Sequence, residues 1–378
     1  MRILHTADLH IGKILHRKSL LNDQKIILPL ILKTAKEQQA DALLITGDLY
    51  QRADPSPEAM TVLSDFLTEA VREGLPCYII SGNHDSAERI RYLAQIAEKS
   101  GIHIADTAPG TVQTFTVTDE FGPLHLHLMP YCTPVSVRQQ YPDEADSIRT
   151  YEDAVRTVLA HHPVSTAERN LLAAHQFLTG AAVSDSEELA VGGLDNISAA
   201  LFDDFDYVAL GHLHGPQSVS RETVRYAGSP LRYSFSEVHQ NKSVTLIDIR
   251  EKGTVSYEVI PLAQPHGMQV LTGGFDTLMQ APHSEDYVQI SLTDECPPPD
   301  ASRALRTVFP NLLQLTVKNS KSDAEGDETQ RYLPDQTDFM EILSGFFASQ
   351  YQGASLTDTQ TEIVRQILEK MDKEGDAS

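Results

Sequence analysis

Cysteine is scarce in this sequence. Cys77, Cys132 and Cys296 are the only three, and no two stand in a CxxC pair. That spacing excludes a zinc ribbon and a disulfide framework, and leaves reduced, buried thiols as the expectation. Long apolar runs are missing as well. The longest, at 26–32, falls far short of the ~20 residues of a membrane-spanning helix. Asp8 and His10 interrupt the N-terminal stretch, so it does not read as a signal peptide, and a cytoplasmic protein is expected. Basic residues are few: 30 Lys and Arg face 53 Asp and Glu, a formal charge of −23. This excludes a free-standing nucleic-acid binder, which needs Lys and Arg against phosphate. A bound divalent metal or a partner subunit can supply the missing positive charge.

What is present is an ordinary globular composition, with 41% hydrophobic residues in a 378-residue chain. That length fits two or three domains. The first third alternates strand-like and helix-like segments: strands at 2–7, 42–46 and 76–81, helices at 19–37, 56–72 and 86–100. These strands are continuous apolar runs, as expected when both faces of a sheet are covered. Alternation of this kind implies a layered α/β domain. Two alternating strands follow at 112–118 and 124–129, then short buried strands at 171–175 and 207–210. Segments at 225–227, 243–249 and 255–261 close the domain, and the Ser-, Glu- and Gly-rich stretch 182–196 reads as a loop. The expected organisation is a first domain over 1–265, a small α/β domain over 266–320, a polar linker over 321–334 and a helical tail over 335–372. In the small domain the strands fall at 269–272, 287–292 and 312–317.

In the tail, Phe339, Ile342, Leu343, Phe346, Phe347 and Tyr351 recur at helical spacing, and Gly353 ends the pattern. Thr357 and Gln360 form a capping-box pattern for a second helix carrying Ile363, Val364, Ile367, Leu368 and Met371. Two amphipathic helices behind a charged linker favour an external partner over packing back on the domain.

Five segments place metal-ligand side chains at the ends of expected strands: Asp8-Leu9-His10, Gly47-Asp48, Gly82-Asn83-His84-Asp85, His175 and Gly211-His212-Leu213-His214. Ligands of open α/β sheets gather at the carboxyl ends of strands, so these five can assemble one site. Carboxylate, imidazole and amide oxygen together favour Mn²⁺, Fe²⁺ or Zn²⁺ over Ca²⁺. The set is large enough for two ions, and a carboxylate can bridge them. Two ions about 3.5–4 Å apart stabilise both the attacking and leaving oxygens of phosphoryl transfer. Gly47, Gly82 and Gly211 are expected to let the backbone turn tightly beside them. Asp-x-His alone is a weak signal and a lone Gly-Asp is none, whereas Gly-Asn-His-Asp after an apolar strand is strong. The ordered set does not arise by chance.

That set resembles the calcineurin-like metallophosphoesterase superfamily, and within it the nuclease branch. MRILHTADLHIGK, LLITGDLY, SGNHDS, LGHLHGPQ and AGSPLRYSFSE read as the branch's blocks, and the likeness covers essentially the whole chain. It implies a layered α/β fold, a β-sandwich flanked by helices, with a small α/β capping domain and a C-terminal helical pair. It implies that Asp8, His10 and His214 hold a first metal, that Asp48 bridges, and that Asn83, His175 and His212 hold a second, with Mn²⁺ expected in both places. His84 is then the non-ligand catalytic residue, acting by hydrogen bond or proton transfer on the leaving oxygen. Asp85 is expected to orient a histidine.

The activity implied is double-strand exonuclease and single-strand or hairpin endonuclease action, in DNA repair, recombination and replication. The partners implied are DNA, a coiled-coil ATPase subunit gripped by the tail, and a second copy of the chain. Anchors for the ATPase are Phe339, Ile342, Leu343, Phe346, Phe347, Ile363, Ile367 and Leu368, and the helix at 86–100 is the candidate dimer contact. Lys13, Arg17 and Lys18, with Arg232 and Tyr233, are candidate DNA contacts, weighed against a solvated helix start and a pinned loop. Some relatives carry a histidine three positions after the bridging aspartate, where this chain has Gln51. Two rival readings are another phosphodiesterase or phosphatase of the superfamily, and a non-catalytic scaffold. The Asp-Arg-Gly of Ser/Thr phosphatases is absent after Gly47-Asp48, and retired sites lose ligands, whereas every expected type is present here.

Overall fold

The computed structural model describes residues 1–318 except 93, 106, 107, 186 and 188–195, together with 360 and 361. Met1–Val317 form one compact unit and Lys318–Ser378 a second. The tail anchors named above lie outside the described residues.

The chain opens with β1 (Arg2–Thr6), a small hairpin of β2 (Ile14–Leu15) and β3 (Lys18–Ser19), and α1 (Leu21–Glu37). Then come β4 (Ala42–Thr46), α2 (Pro57–Arg72), β5 (Cys77–Ile80), the short helices α3 (Ala87–Arg91) and α4 (Ala94–Glu98), and β6 (Ile102–Ile104). Thus the single helix expected over 86–100 is two short pieces. The helix expected from residue 19 starts at Leu21, because the hairpin precedes it. Ser56 caps α2 by accepting from the Ala59 amide, with Pro57 at the first helical position.

A second series follows: β7 (Gln113–Asp119), β8 (Gly122–Met129), α5 (Pro134–Gln140), α6 (Tyr151–Ala160), β9 (Arg169–His175), β10 (Tyr207–Gly211), β11 (Gln217–Val219), β12 (Arg221–Tyr226), β13 (Ser243–Ile249) and β14 (Val255–Pro261). α5 and α6 were not legible as periodic patterns, yet both carry capping boxes. In α6 the Thr150 hydroxyl accepts from the Asp153 amide while the Asp153 carboxylate accepts from the Thr150 amide.

Two six-stranded sheets result, in the orders β14-β13-β1-β4-β5-β6 and β11-β12-β10-β9-β8-β7. Each has a parallel core: β1, β4, β5 and β6 in the first, β8, β9, β10 and β12 in the second. The sheets face each other across a seam of buried side chains that includes Leu44, Ile80, Leu126, Leu171 and Ala209. α1 and α2 cover the outer face of the first sheet, and α5 and α6 that of the second. Both faces of each sheet are therefore covered, which is why the central strands read as unbroken apolar runs.

The last strands, β15 (Met268–Gly273), β16 (Tyr287–Leu292) and β17 (Leu312–Val317), make a separate parallel sheet with α7 (Phe275–Met279) and α8 (Ala301–Leu305). Met268 and Tyr287 pack into the core beneath α1, and the Asp23 carboxylate on α1 accepts from the Tyr287 hydroxyl at 3.0 Å.

Candidate metal centre

Parallel neighbours end side by side, so their C-terminal loops meet. Asp8 and His10 follow β1, Asp48 follows β4, and Asn83 and His84 follow β5, three strands adjacent in the first sheet. His175 ends β9, and His212 and His214 follow β10, its neighbour in the second. All seven residues expected as ligands are thereby brought to one place.

On one side, His10 Nε2 lies 3.1 Å from His214 Nε2 and 3.5 Å from Asp48 Oδ2. On the other, Asn83 Oδ1 lies 3.0 Å from both His175 Nε2 and His212 Nδ1, and His175 Nε2 lies 3.4 Å from Asp48 Oδ2. Asp48 stands between the two groups. Potential ligand atoms of Asp8, Asp48 and His175 fall within 4.8 Å of one another, as do those of His10, Asp48 and His84. Asp8 accepts from the His212 amide at 2.9 Å, which ties the first loop to the last.

These loops are held in unusual conformations. Asp8, His10, Asp48 and His212 have φ of 52°, 42°, 50° and 107°, a region costly for residues with a Cβ. Gly47 has φ 89°, and a Cβ there would sit 2.3 Å from His175 Nδ1. Gly82 and Gly211 answer a different need from the expected tight turns: their φ is not positive, but the space is filled. A Cβ would lie 2.1 Å from Asp48 Oδ1 at Gly82 and 1.8 Å from the Thr46 carbonyl at Gly211.

The surroundings orient each imidazole. His175 Nδ1 donates to the Thr46 carbonyl at 2.8 Å, which directs Nε2 into the centre. His214 Nδ1 donates to Glu237 Oε1 at 3.2 Å, the carboxylate–histidine pairing common behind metal ligands. Glu237 is itself fully buried against the Lys242 ammonium, which also donates to the His214 carbonyl and the Ser229 hydroxyl at 2.8 Å each. Burial opposes charge on Glu237, but the His214 and Lys242 donors hold its carboxyl below the ordinary range. Neither Glu237 nor Lys242 was singled out by sequence reasoning. Both lie after the last candidate ligand, with no spacing signal of their own. His84 Nδ1 donates to the backbone carbonyl of Gln51 at 3.1 Å, and its amide donates to Asp48 Oδ1 at 3.0 Å.

Several expectations change. Asp85 does not orient a histidine. Its carboxylate accepts from the backbone amides of Gly82, Leu49 and Tyr50 at 2.9, 3.1 and 3.0 Å, so it clasps the loop carrying Asp48 to the loop carrying Asn83. Burial foremost, with Asp48 nearby, raises it to about 6. Tyr233 is no DNA-facing residue: it is buried, its hydroxyl donates to the Leu9 carbonyl, and its ring packs edge-on against His10 and His214. Arg232 pins its loop through two bonds to the Gln240 carbonyl. Lys18 turns towards the small sheet, donating to Asn311 at 3.2 Å. Arg17 is exposed on the hairpin, and the Lys13 ammonium sits 5.8 Å above the Tyr233 ring.

The donor set fits divalent cations. Asp8 Oδ2 is buried without a hydrogen-bond partner, a costly state for a carboxylate oxygen, and the nitrogens His10 Nε2 and His175 Nε2 crowd within 3.5 Å of Asp48 Oδ2. Burial, reinforced by Asp48, pushes Asp8 well above the usual carboxylate range despite the opposing pull of His175. On His175, burial works against protonation, but the Asp48 and Asp8 carboxylates outweigh it and raise the imidazole to about 9. Two buried carboxylates thus draw positive charge into the centre, while burial keeps His10 and His212 neutral, the form that binds metal.

The calcineurin-like phosphoesterase family model matches residues 1–216, and the type 5 capsule protein repressor C-terminal domain model matches residues 264–351. The SbcD subunit of the SbcCD nuclease of Staphylococcus saprophyticus is 32% identical over 99% of this chain and 100% of its own. Among solved structures, the phosphoesterase Yfce of E. coli (13% identity, 69% of this chain, 100% of that one) has a TM-score of 0.28. A dimetal phosphatase from Danio rerio (10% identity, 70% and 99%) has a TM-score of 0.38. Those two likenesses are too partial to bear on function. The full-length match and the family model agree with the strand-end loops described above, and the chain belongs to the calcineurin-like phosphoesterase family, in the branch formed by the SbcD nuclease subunits.

Proposed function

We propose that the chain is the nuclease subunit of an SbcCD-type complex, hydrolysing phosphodiester bonds of double-stranded DNA ends and of hairpins, in repair, recombination and replication. One observation carries this reading: five strand-end loops converge on Asp48, crowd the His10 and His175 imidazoles within 3.5 Å of its carboxylate, and leave the buried Asp8 Oδ2 without a partner. Asp8, His10, Asp48 and His214 would hold one cation, and Asp48, Asn83, His175 and His212 a second, with Mn²⁺ the preferred ion. When bound, two such ions supply Lewis-acid charge to phosphoryl oxygens and an acidified water.

The chain's own residues do the rest. Asp48 presents one oxygen towards both His10 and His175, and the Glu237–His214 and Thr46–His175 bonds hold ligand nitrogens aimed inward. His84 Nδ1–H donates to Gln51, so Nε2 is the remaining nitrogen, an acceptor in the neutral ring and a proton donor to the leaving oxygen only when the ring is an imidazolium. The Gln51 carbonyl thus orients the catalytic imidazole in a chain that lacks those relatives' histidine at that position.

DNA needs positive charge that the chain lacks. Lys13, over the Tyr233 ring that packs on His10 and His214, contributes some, as does the exposed Arg17 on the hairpin that follows, and an SbcC-type ATPase gripped by the tail at 335–372 brings more. The second copy of the chain is assigned to the segment at 86–100, folded as the α3–α4 pair, where Tyr92 and Ile96 are exposed. No helix among the described residues is long and apolar enough to cross a membrane. We place the protein in the cytoplasm, with its DNA.

End-labelled hairpin DNA with Mn²⁺, assayed beside a cyclic nucleotide and with or without the coiled-coil ATPase, tests the reading. Cleavage of the hairpin, stimulated by the ATPase, is expected. Turnover of the cyclic nucleotide alone contradicts it.

A further inference from the structure

A second histidine cluster lies on the helix-covered face of the second sheet and shares no residue with the centre. Thr114 on β7 and His127 on β8 are directly opposite in the antiparallel ladder, so their side chains share that face. His162, two residues past the end of α6, folds over them. His127 Nδ1 and His162 Nε2 face each other at 2.9 Å, and the Thr114 hydroxyl oxygen lies 3.0 Å from the first and 3.2 Å from the second. Three donor atoms thus form a nearly equilateral triangle. Donors at about 2.0–2.1 Å from a tetrahedral or octahedral ion stand roughly 2.9–3.4 Å apart, the spacing seen here.

The tautomer is set for a ligand. The Asn170 amide nitrogen donates to the Ser165 and Glu168 carbonyls, so its oxygen must face His127. That oxygen, 3.0 Å from His127 Nε2, can only accept. The His127 proton therefore resides on Nε2, and Nδ1 presents a lone pair to the triangle. This is the arrangement in which an outer partner fixes a metal-binding imidazole. Burial lowers the His127 imidazole to about 4 and lowers His162 too, so both are neutral near pH 7. The Phe205 ring packs edge-on against His127 and stiffens it, while Thr114 is exposed, which leaves an approach from solvent.

We propose that His127 Nδ1, His162 Nε2 and the Thr114 hydroxyl form a further cation site for a borderline transition metal such as Zn²⁺, completed by water. Two imidazoles without a carboxylate select Zn²⁺, Ni²⁺ or Cu²⁺ over Mn²⁺ and Mg²⁺, so the site is chemically distinct from the Asp-rich centre. His162 binds there as the Nδ1–H tautomer. The ion ties the segment after α6 to the sheet, a stabilising clip rather than a participant in hydrolysis.

The test uses the full chain with Asp48→Asn, which disables the centre, and Zn²⁺ as the probe. Equilibrium dialysis is expected to show one more bound Zn²⁺ in this background than in Asp48→Asn/His162→Ala. Zn²⁺ is also expected to raise the melting temperature of the first and not of the second. In the otherwise native chain, His162→Ala leaves hairpin cleavage unchanged. Equal Zn²⁺ uptake in the two backgrounds overturns the proposal and reduces the triangle to hydrogen bonding. Should His162→Ala fail to fold, anomalous scattering at the zinc edge from the native chain decides. A peak between Thr114, His127 and His162 supports the site, and no peak there refutes it. Neither outcome depends on the centre binding metal.

Discussion

His84 shows how one contact assigns a role. Its Nδ1 donates to the Gln51 carbonyl and its amide to Asp48, which fixes the ring, while the Asp85 carboxylate ties the same two loops together independently. His84→Ala is expected to retain Mn²⁺ binding by calorimetric titration while losing hydrolysis by about 10²–10⁴-fold. Loss of both together refutes the role. Glu237 acts through His214 instead. Glu237→Gln keeps the shape but removes the charge facing Lys242 and His214, and Mn²⁺ affinity is expected to fall by about 10–100-fold. Titration of that variant checks it, and unchanged affinity excludes the positioning role. The candidate ligands were legible as residue types at strand ends. Asp85 and Tyr233 were not, because a carboxylate or a phenol at a loop gives no sign of whether it faces a histidine, a backbone amide or solvent. Only the folded loops show Asp85 serving three amides.

Elements position the site by ending together, so their packing matters as much as the ligands. Leu126 is fully buried between the two sheets, and Leu126→Ala is expected to cost about 2–5 kcal/mol in urea denaturation. A cost below about 1 kcal/mol contradicts the two-sheet core. The strands 42–46, 243–249, 255–261, 287–292 and 312–317 were readable to the residue because each is an apolar or alternating run bounded by turn residues. Others were not. α5 and α6 sit in a stretch rich in Arg, Asp and Tyr, where capping boxes at Thr133 and Thr150 were the available signal. The split of α3 from α4 leaves each too short for periodicity to locate. Strand pairing, which places β9 and β10 in a different sheet from β1, β4 and β5, is a long-range property that no local window carries.

For the whole molecule, the N-terminus is tied to the second sheet at one ion cluster. Arg169 pairs with both oxygens of Asp119 at 2.6 and 3.1 Å, and the N-terminal ammonium joins at 2.9 Å. Burial opposes the charge on Asp119, but these two cations hold its carboxyl below the usual range. A depressed folded value stabilises the native state above the unfolded carboxylate pKa, about 4, and that contribution is lost as pH falls towards the folded value. Asp119→Asn is therefore expected to be less stable by roughly 1–3 kcal/mol at pH 7, with the gap to the native chain narrowing below about pH 4. Urea midpoints measured across that range check it, and a gap that widens on acidification contradicts the pairing. At −23 the chain has little positive charge to offer a phosphate, so the proposed cation centre at Asp48 is where that charge must come from within this chain. Anomalous scattering at the manganese edge from crystals of the Mn²⁺-loaded protein tests that centre most directly. Two peaks flanking the Asp48 carboxylate, one beside His10 and His214 and the other beside His175 and His212, are the predicted result. A single peak, or peaks remote from residue 48, would contradict it.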